Sequence, residues 1–186
     1  MALRIKSHWH NEHLERSLKD IGKALAFNAW RLAKDKAIGL HGADFSYQDD
    51  RQRLDVIQEY LIFQVQIVDR TSVQDMELDD ESRRELILAF VKGLAKQVED
   101  NGRDLLGPGD HGKAFIDRLN LRVQEYAEFT FDQSGPSYPF LRHLGYEIQQ
   151  LMGQDGVNRW VIDRVMDQDG PDMARKMMRA LKDLSG

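Results

Sequence analysis

Residues 54–70 read LDVIQEYLIFQVQIVDR, and the placement of apolar side chains in this stretch decides the fold class. Val56, Ile57, Tyr60, Leu61, Ile62, Phe63, Val65, Ile67 and Val68 recur at three- and four-residue intervals that cover nearly the whole circumference of a helix. A helix that is apolar all round has no face to offer water, so the spacing predicts a central helix, from about Asp49 to Arg70, covered on several sides. Ser46 is its expected N-cap, because a serine hydroxyl accepts hydrogen bonds from the orphan amides of a first turn. The polar residues Gln64, Gln66, Asp69 and Arg70 stand out on this helix, since buried polar groups need partners or a wet cavity. Gln64, Asp69 and Arg70 are therefore candidate pocket-lining residues, with interhelical hydrogen bonds as the plainer expectation.

The same three/four period extends in both directions from this helix. Upstream, from near Glu12 to Leu40, Leu14, Leu18, Ile21, Leu25 and Leu32 form a stripe that Phe27 and Trp30 widen. Downstream, the acids Asp79, Asp80 and Glu81 open a helix that buries Ile87, Phe90, Val91, Leu94 and Val98, with Asn101–Gly102 as its expected left-handed exit. A fourth helix, from about Asp110 to Phe131, carries Phe115, Leu119, Val123, Tyr126 and Phe129. After the turn Gln133–Pro136, a fifth presents Phe140, Leu141, Leu144, Ile148 and Leu151. Two short helices close the chain, one around Trp160, Val161 and Val165, the other from Pro171 through Met173, Met177, Leu181 and Leu184. No period-two run bounded by turn residues suggests a strand. The expected fold is all-α: a single-domain orthogonal or irregular bundle of about seven helices over residues 1–186, with residues 1–11 expected to be disordered.

Composition narrows the function classes. The absence of cysteine removes disulfides, thiolate metal sites and cysteine nucleophiles, and suits a reducing, cytoplasmic location. Even the most apolar segment, Tyr60 to Val68, contains Gln64 and Gln66, so no membrane insertion is expected. A net charge of -5, with basic residues dispersed among acids, argues against nucleic acid as a partner.

Several motifs invite chemistry. Gly107-Pro-Gly-Asp-His-Gly112-Lys113 has the glycine and lysine spacing of a phosphate-binding loop, but Ala114 replaces the metal-holding hydroxyl and the string lies between two helices. It reads as an interhelical connection, and no cofactor is expected. Asp167-Gln-Asp169-Gly170 fails as a calcium loop, because Val165 and Lys176 occupy its first and last ligand positions. His10 and His13 share a face if their segment is helical and form the candidate metal pair. His143 and Glu147, four apart on the fifth helix, are either an acid–base pair or, as expected, a surface salt bridge. No catalytic residue is assigned. Met173 and Met177, with Met178, are candidate partner-binding residues, because methionine adapts to varied surfaces; core filling is the alternative.

Between Leu54 and Phe129 the order of features resembles the ubiquinol–cytochrome c chaperone family, helical assembly factors for respiratory cytochrome complexes. The matching features are the long apolar helix ending in Val68-Asp-Arg70, the helix Glu85 to Val98, the break Gly102-Arg-Asp-Leu-Leu, and Arg122 placed four before Tyr126. The chain has Asn120-Leu-Arg122 where that family has a Phe-Tyr-Gly-Arg string. The resemblance implies a protein-binding assembly role without catalysis and marks Arg122 and Tyr126 as partner-binding positions. A non-enzymatic protein-binding, assembly or chaperone-like module is thus the expected function. The alternative is a metal-dependent or small-ligand-binding protein, enzyme or sensor.

Overall fold

The computed structural model describes residues 17–186, and helix dominates it. The elements are α1 (Leu18–Gly42), α2 (Asp50–Gln74), α3 (Asp80–Leu106), α4 (His111–Tyr126), the short strands β1 (Phe131–Asp132) and β2 (Gly135–Pro136), α5 (Tyr138–Met152), a 3-10 turn (Gly156–Asn158), α6 (Val161–Arg164) and α7 (Gly170–Ser185). The all-α expectation holds, apart from one two-residue hairpin, in which Phe131 faces Pro136 and Asp132 faces Gly135. Among the described residues, no helix is long and apolar enough to cross a membrane.

α2 is the central element that its all-round apolarity demands. Every residue from Val56 to Val68 is buried, and α1, α3, α4, α5 and α7 all pack against it. Its N-cap is Asp49, whose side chain accepts the Gln52 amide, and not Ser46. Ser46 exchanges backbone hydrogen bonds with the Asn158 side chain instead, tying the α1–α2 loop to the 3-10 turn.

α1 and α3 form the most extensive helix pair, and small residues let them approach. A Cβ on Gly22 would lie 2.7 Å from the Ala89 Cβ and 2.9 Å from the Leu86 carbonyl oxygen; one on Gly93 would lie 2.6 Å from the Ala26 Cβ. Ile21, Leu25 and Trp30 are buried as the stripe predicts, but Phe27 is 60% exposed and lies off that face.

Three helix boundaries differ from expectation, two because a tertiary contact overrides a local signal and one because of a local proline. α3 runs past Asn101–Gly102, since the His111 ring lies against Gly102, where a Cβ would come within 2.4 Å of it. The helix stops instead at Gly107, whose φ of 86° suits glycine. α4 ends at Tyr126, because Arg70 donates to the Tyr126 and Phe129 carbonyl oxygens and draws the chain away from helix; Val123, expected in the core, is 42% exposed. The two closing helices are one continuous run from Val161 to Ser185, joined by a π turn over Val165–Asp169, in which the Gly170 amide bonds the Val165 carbonyl. Pro171 lacks an N–H and its ring crowds the carbonyl four residues back, a conflict that the wider π turn relieves.

Candidate functional site

Three pairs of polar residues at helical i, i+4 spacing meet where α2, α4 and α5 converge. They are Asp55 and Glu59 on α2, Arg118 and Arg122 on α4, and His143 and Glu147 on α5, with Glu125 one turn beyond Arg122. Arg122 holds the centre. Its Nε and Nη2 each donate to a carboxylate oxygen of Glu59 at 3.1 Å, its Nη1 donates to Glu125 at 3.0 Å, and its Nη2 also reaches Glu147. Arg118 donates to Asp55 at 3.0 Å and approaches Glu59 at 3.9 Å, while His143 Nε2 pairs with Glu125 Oε2 at 2.9 Å. Glu59 is 1% exposed and Arg122 13%, so these are not surface pairs.

Burial alone pulls the Arg122 guanidinium below its ordinary value, but Glu59, Glu147 and Glu125 outweigh it and hold the group above. Burial raises the Glu147 carboxyl; Arg122 draws it back, and the Glu59 charge pushes it up again. The Arg122 direction follows from three carboxylates around one guanidinium, and the Glu147 direction first from burial. Beside the cluster, the Tyr126 ring and the His143 imidazole form a T-shaped contact, with centroids 4.8 Å apart. The buried Tyr126 hydroxyl has no hydrogen-bond partner among the described residues. Burial and the Glu59 charge both raise its pKa.

The opposite flank of α4 borders a groove. Val65 and Gln66 of α2 form its floor, Ile87, Leu88 and Val91 of α3 one wall, and Ile116, Leu119 and Val123 of α4 the other, enclosing about 670 Å³. Leu88 is 51% exposed and Val123 42%. Asp69 lies in the groove and is held by two hydrogen bonds from Arg83, each 2.7 Å. On the rim, the side chains of Arg84 and Lys92 make no ion pair among the described residues.

The residues singled out from sequence separate into different environments. Of the three pocket candidates, only Asp69 lines the groove. Gln64 is fully buried and donates to the Ala29 carbonyl oxygen of α1, an interhelical bond, and to the Tyr60 carbonyl oxygen of its own helix, while Arg70 caps the end of α4. Met173 and Met177 are buried at 0% and 1%, so the expected partner surface there is corrected to core: α7 lays this face on α2. Arg122 and Tyr126 do come together, but below the surface. His143 and Glu147 are not the expected surface pair: His143 bonds Glu125 and Glu147 bonds Arg122. The Gly107–Lys113 string joins α3 to α4 as expected; its Gly112 amide donates to Glu99, and Lys113 pairs with Asp117. His10 and His13 lie outside the described residues.

Sequence reasoning passed over Glu59, Arg118 and Glu125. The available signal was Asp55 and Glu59 at i, i+4 within a helix otherwise apolar all round, since a buried acid requires a cation nearby. Comparison with family models, characterised proteins and solved structures finds no match.

Proposed function

We propose that this chain is a non-enzymatic binding or assembly module whose α2–α3–α4 groove receives an amphipathic helix of a partner protein. The supporting observation is the groove itself: large apolar side chains, Leu88 and Val123, stand exposed along a concave strip whose rim carries Arg84 and Lys92, cations without an ion pair among the described residues. Exposed apolar surface in a concave setting favours an apolar face at i, i+3, i+4 and i+7. The rim cations favour carboxylates bordering that face. The partner is thus a helix with an apolar stripe and an acidic flank.

An assembly role is also what the resemblance to the ubiquinol–cytochrome c chaperone family implies. On this reading Arg122 and Tyr126 act indirectly, by seating α4 so that Ile116 and Val123 form the groove wall. The same reading keeps the cytoplasmic location expected from composition.

The test uses three synthetic helical peptides that share one leucine stripe and differ in their flanks: glutamate, lysine, or glutamate with the stripe scrambled. Fluorescence anisotropy should show that the glutamate-flanked peptide binds best. Leu88→Asp should abolish its binding and Arg84→Glu/Lys92→Glu should weaken it. Binding indifferent to Leu88→Asp, or equal for all three peptides, would refute the proposal.

A further inference from the structure

Outside the groove, one group of side chains among the described residues has the composition of a metal site. Oxygen atoms of Glu125 and Glu147 and a ring nitrogen of His143 lie within 4.8 Å of one another. Ligands about 2.1 Å from a shared ion at tetrahedral angles are roughly 3.4 Å apart, so side-chain movements on the order of 1 Å would close the site. The three side chains are 33%, 15% and 15% exposed, which leaves them reachable from solvent while most of their surface is held by protein.

Charge favours a cation there. Among the described residues the carboxylates of Asp55, Glu59, Glu125 and Glu147 face two guanidinium groups, Arg118 and Arg122, which leaves two negative charges uncompensated when His143 is neutral. A divalent ion supplies the missing charge. A second observation is independent of that balance: the Tyr126 hydroxyl, fully buried and unpartnered among the described residues, belongs to a ring in a T-shaped contact with the His143 imidazole. Tyr126 follows Glu125 directly on α4 and its ring centroid lies 4.8 Å from that of His143, so the residue borders two of the three ligands.

We infer that Glu125, His143 and Glu147 bind one divalent transition-metal ion, with Tyr126 as a positioning residue. One imidazole and two carboxylates suit zinc, manganese, iron(II) or cobalt better than calcium or magnesium, which take all-oxygen sets. Three protein ligands leave a further position open. The ion takes the lone pair of one ring nitrogen of neutral His143, the ring proton stays on the other nitrogen, and the His143–Glu125 hydrogen bond gives way to two bonds to the metal. Arg122 stays as the outer partner that fixes both carboxylates, the usual role of a group hydrogen-bonded to metal ligands. The Tyr126 hydroxyl gains a place as donor to a bound carboxylate.

The full chain, stripped with chelator and carrying His8→Ala/His10→Ala/His13→Ala to silence the N-terminal histidines, is dialysed against zinc sulfate and its metal content measured. One zinc per chain is expected. His143→Gln and Glu147→Gln, with folding checked by circular dichroism, should lose the ion at concentrations that saturate the parent. Tyr126→Phe should fold normally and lower affinity by about tenfold. Zinc uptake unchanged in both ligand variants, or no uptake by the parent, would overturn the inference. Should either variant unfold, histidine ring resonances of the parent decide, because only His41, His111 and His143 remain. Zinc should move the His143 ring, whose contact with Tyr126 and Phe129 gives it a distinct shift. Movement of another ring in its place would overturn the assignment.

Discussion

Replacing Arg122 with leucine removes the guanidinium from the centre of the polar cluster while keeping an apolar stem of similar volume. Glu59, 1% exposed, then loses both of its 3.1 Å hydrogen bonds, and its nearest remaining cation is Arg118 at 3.9 Å. Removing one member of a buried ion pair costs about 3–5 kcal/mol, because the other charge stays desolvated without compensation. Arg118 moderates this, so the expected loss is at the lower end, about 3 kcal/mol. For a chain of this size that lowers the melting temperature by roughly 10 °C. The diagnostic comparison is Glu59→Gln/Arg122→Leu, which removes both charges and should be more stable than Arg122→Leu alone, since no unpaired carboxylate remains buried. Urea unfolding followed by circular dichroism at neutral pH measures both, with unchanged denaturant slopes confirming that native compactness is preserved. A single-variant loss below about 1 kcal/mol would mean that the cluster behaves as a solvated surface pair, and the reasoning about its burial would fail.

Gly22→Ala should destabilise the protein by about 1–3 kcal/mol, because the new methyl meets Ala89 and the Leu86 carbonyl, whereas Gly39→Ala, with no atom within 4 Å, should stabilise it by about 0.5–1 kcal/mol. Equal effects in chemical unfolding would remove close α1–α3 packing as the reason for Gly22. Met177→Ala should cost about 2–5 kcal/mol as a core truncation; a near-neutral result would return that residue to the surface. Asp169 accepts a hydrogen bond from Tyr60 at 2.8 Å and is 1% exposed. Burial raises its carboxyl above the ordinary 3.8, against the opposing pull of Tyr60, Arg164 and Lys36. The folded state therefore holds this proton more tightly than the unfolded chain, so the group adds stability as pH falls through its raised value and completes that gain near 3.8. Asp169→Asn should lack this increment, and superimposable pH–stability curves for the two proteins would refute the assignment.

Much of the helical architecture is legible locally, because the three/four apolar period is a property of each segment alone. Residues 56–68 announce a central helix by leaving no polar face, and Phe140, Leu144 and Ile148 mark the face that α5 buries. Helix ends are less legible. Gly102 carries a local stop signal, yet His111, nine residues later, packs on it and the helix continues. The methionines of α7 illustrate a second limit: an apolar stripe at helical spacing shows which residues share a face, but not whether that face meets protein or solvent.

The candidate sites divide along the same line. Sequence by itself determines the α-helical class, the identity of the central helix and the i, i+4 pairs Asp55/Glu59, Arg118/Arg122 and His143/Glu147, since these depend only on backbone period. Only the tertiary structure decides that the three pairs face one another and that Arg122 is shared by three carboxylates. It also decides that Leu88 and Val123 form opposite walls of one groove. The physical reason is that helical period sets the direction of a side chain about its own axis. The rotation of one helix against another, and hence which directions converge, is set by close packing at contacts such as Gly22 on Ala89, between residues far apart in the chain.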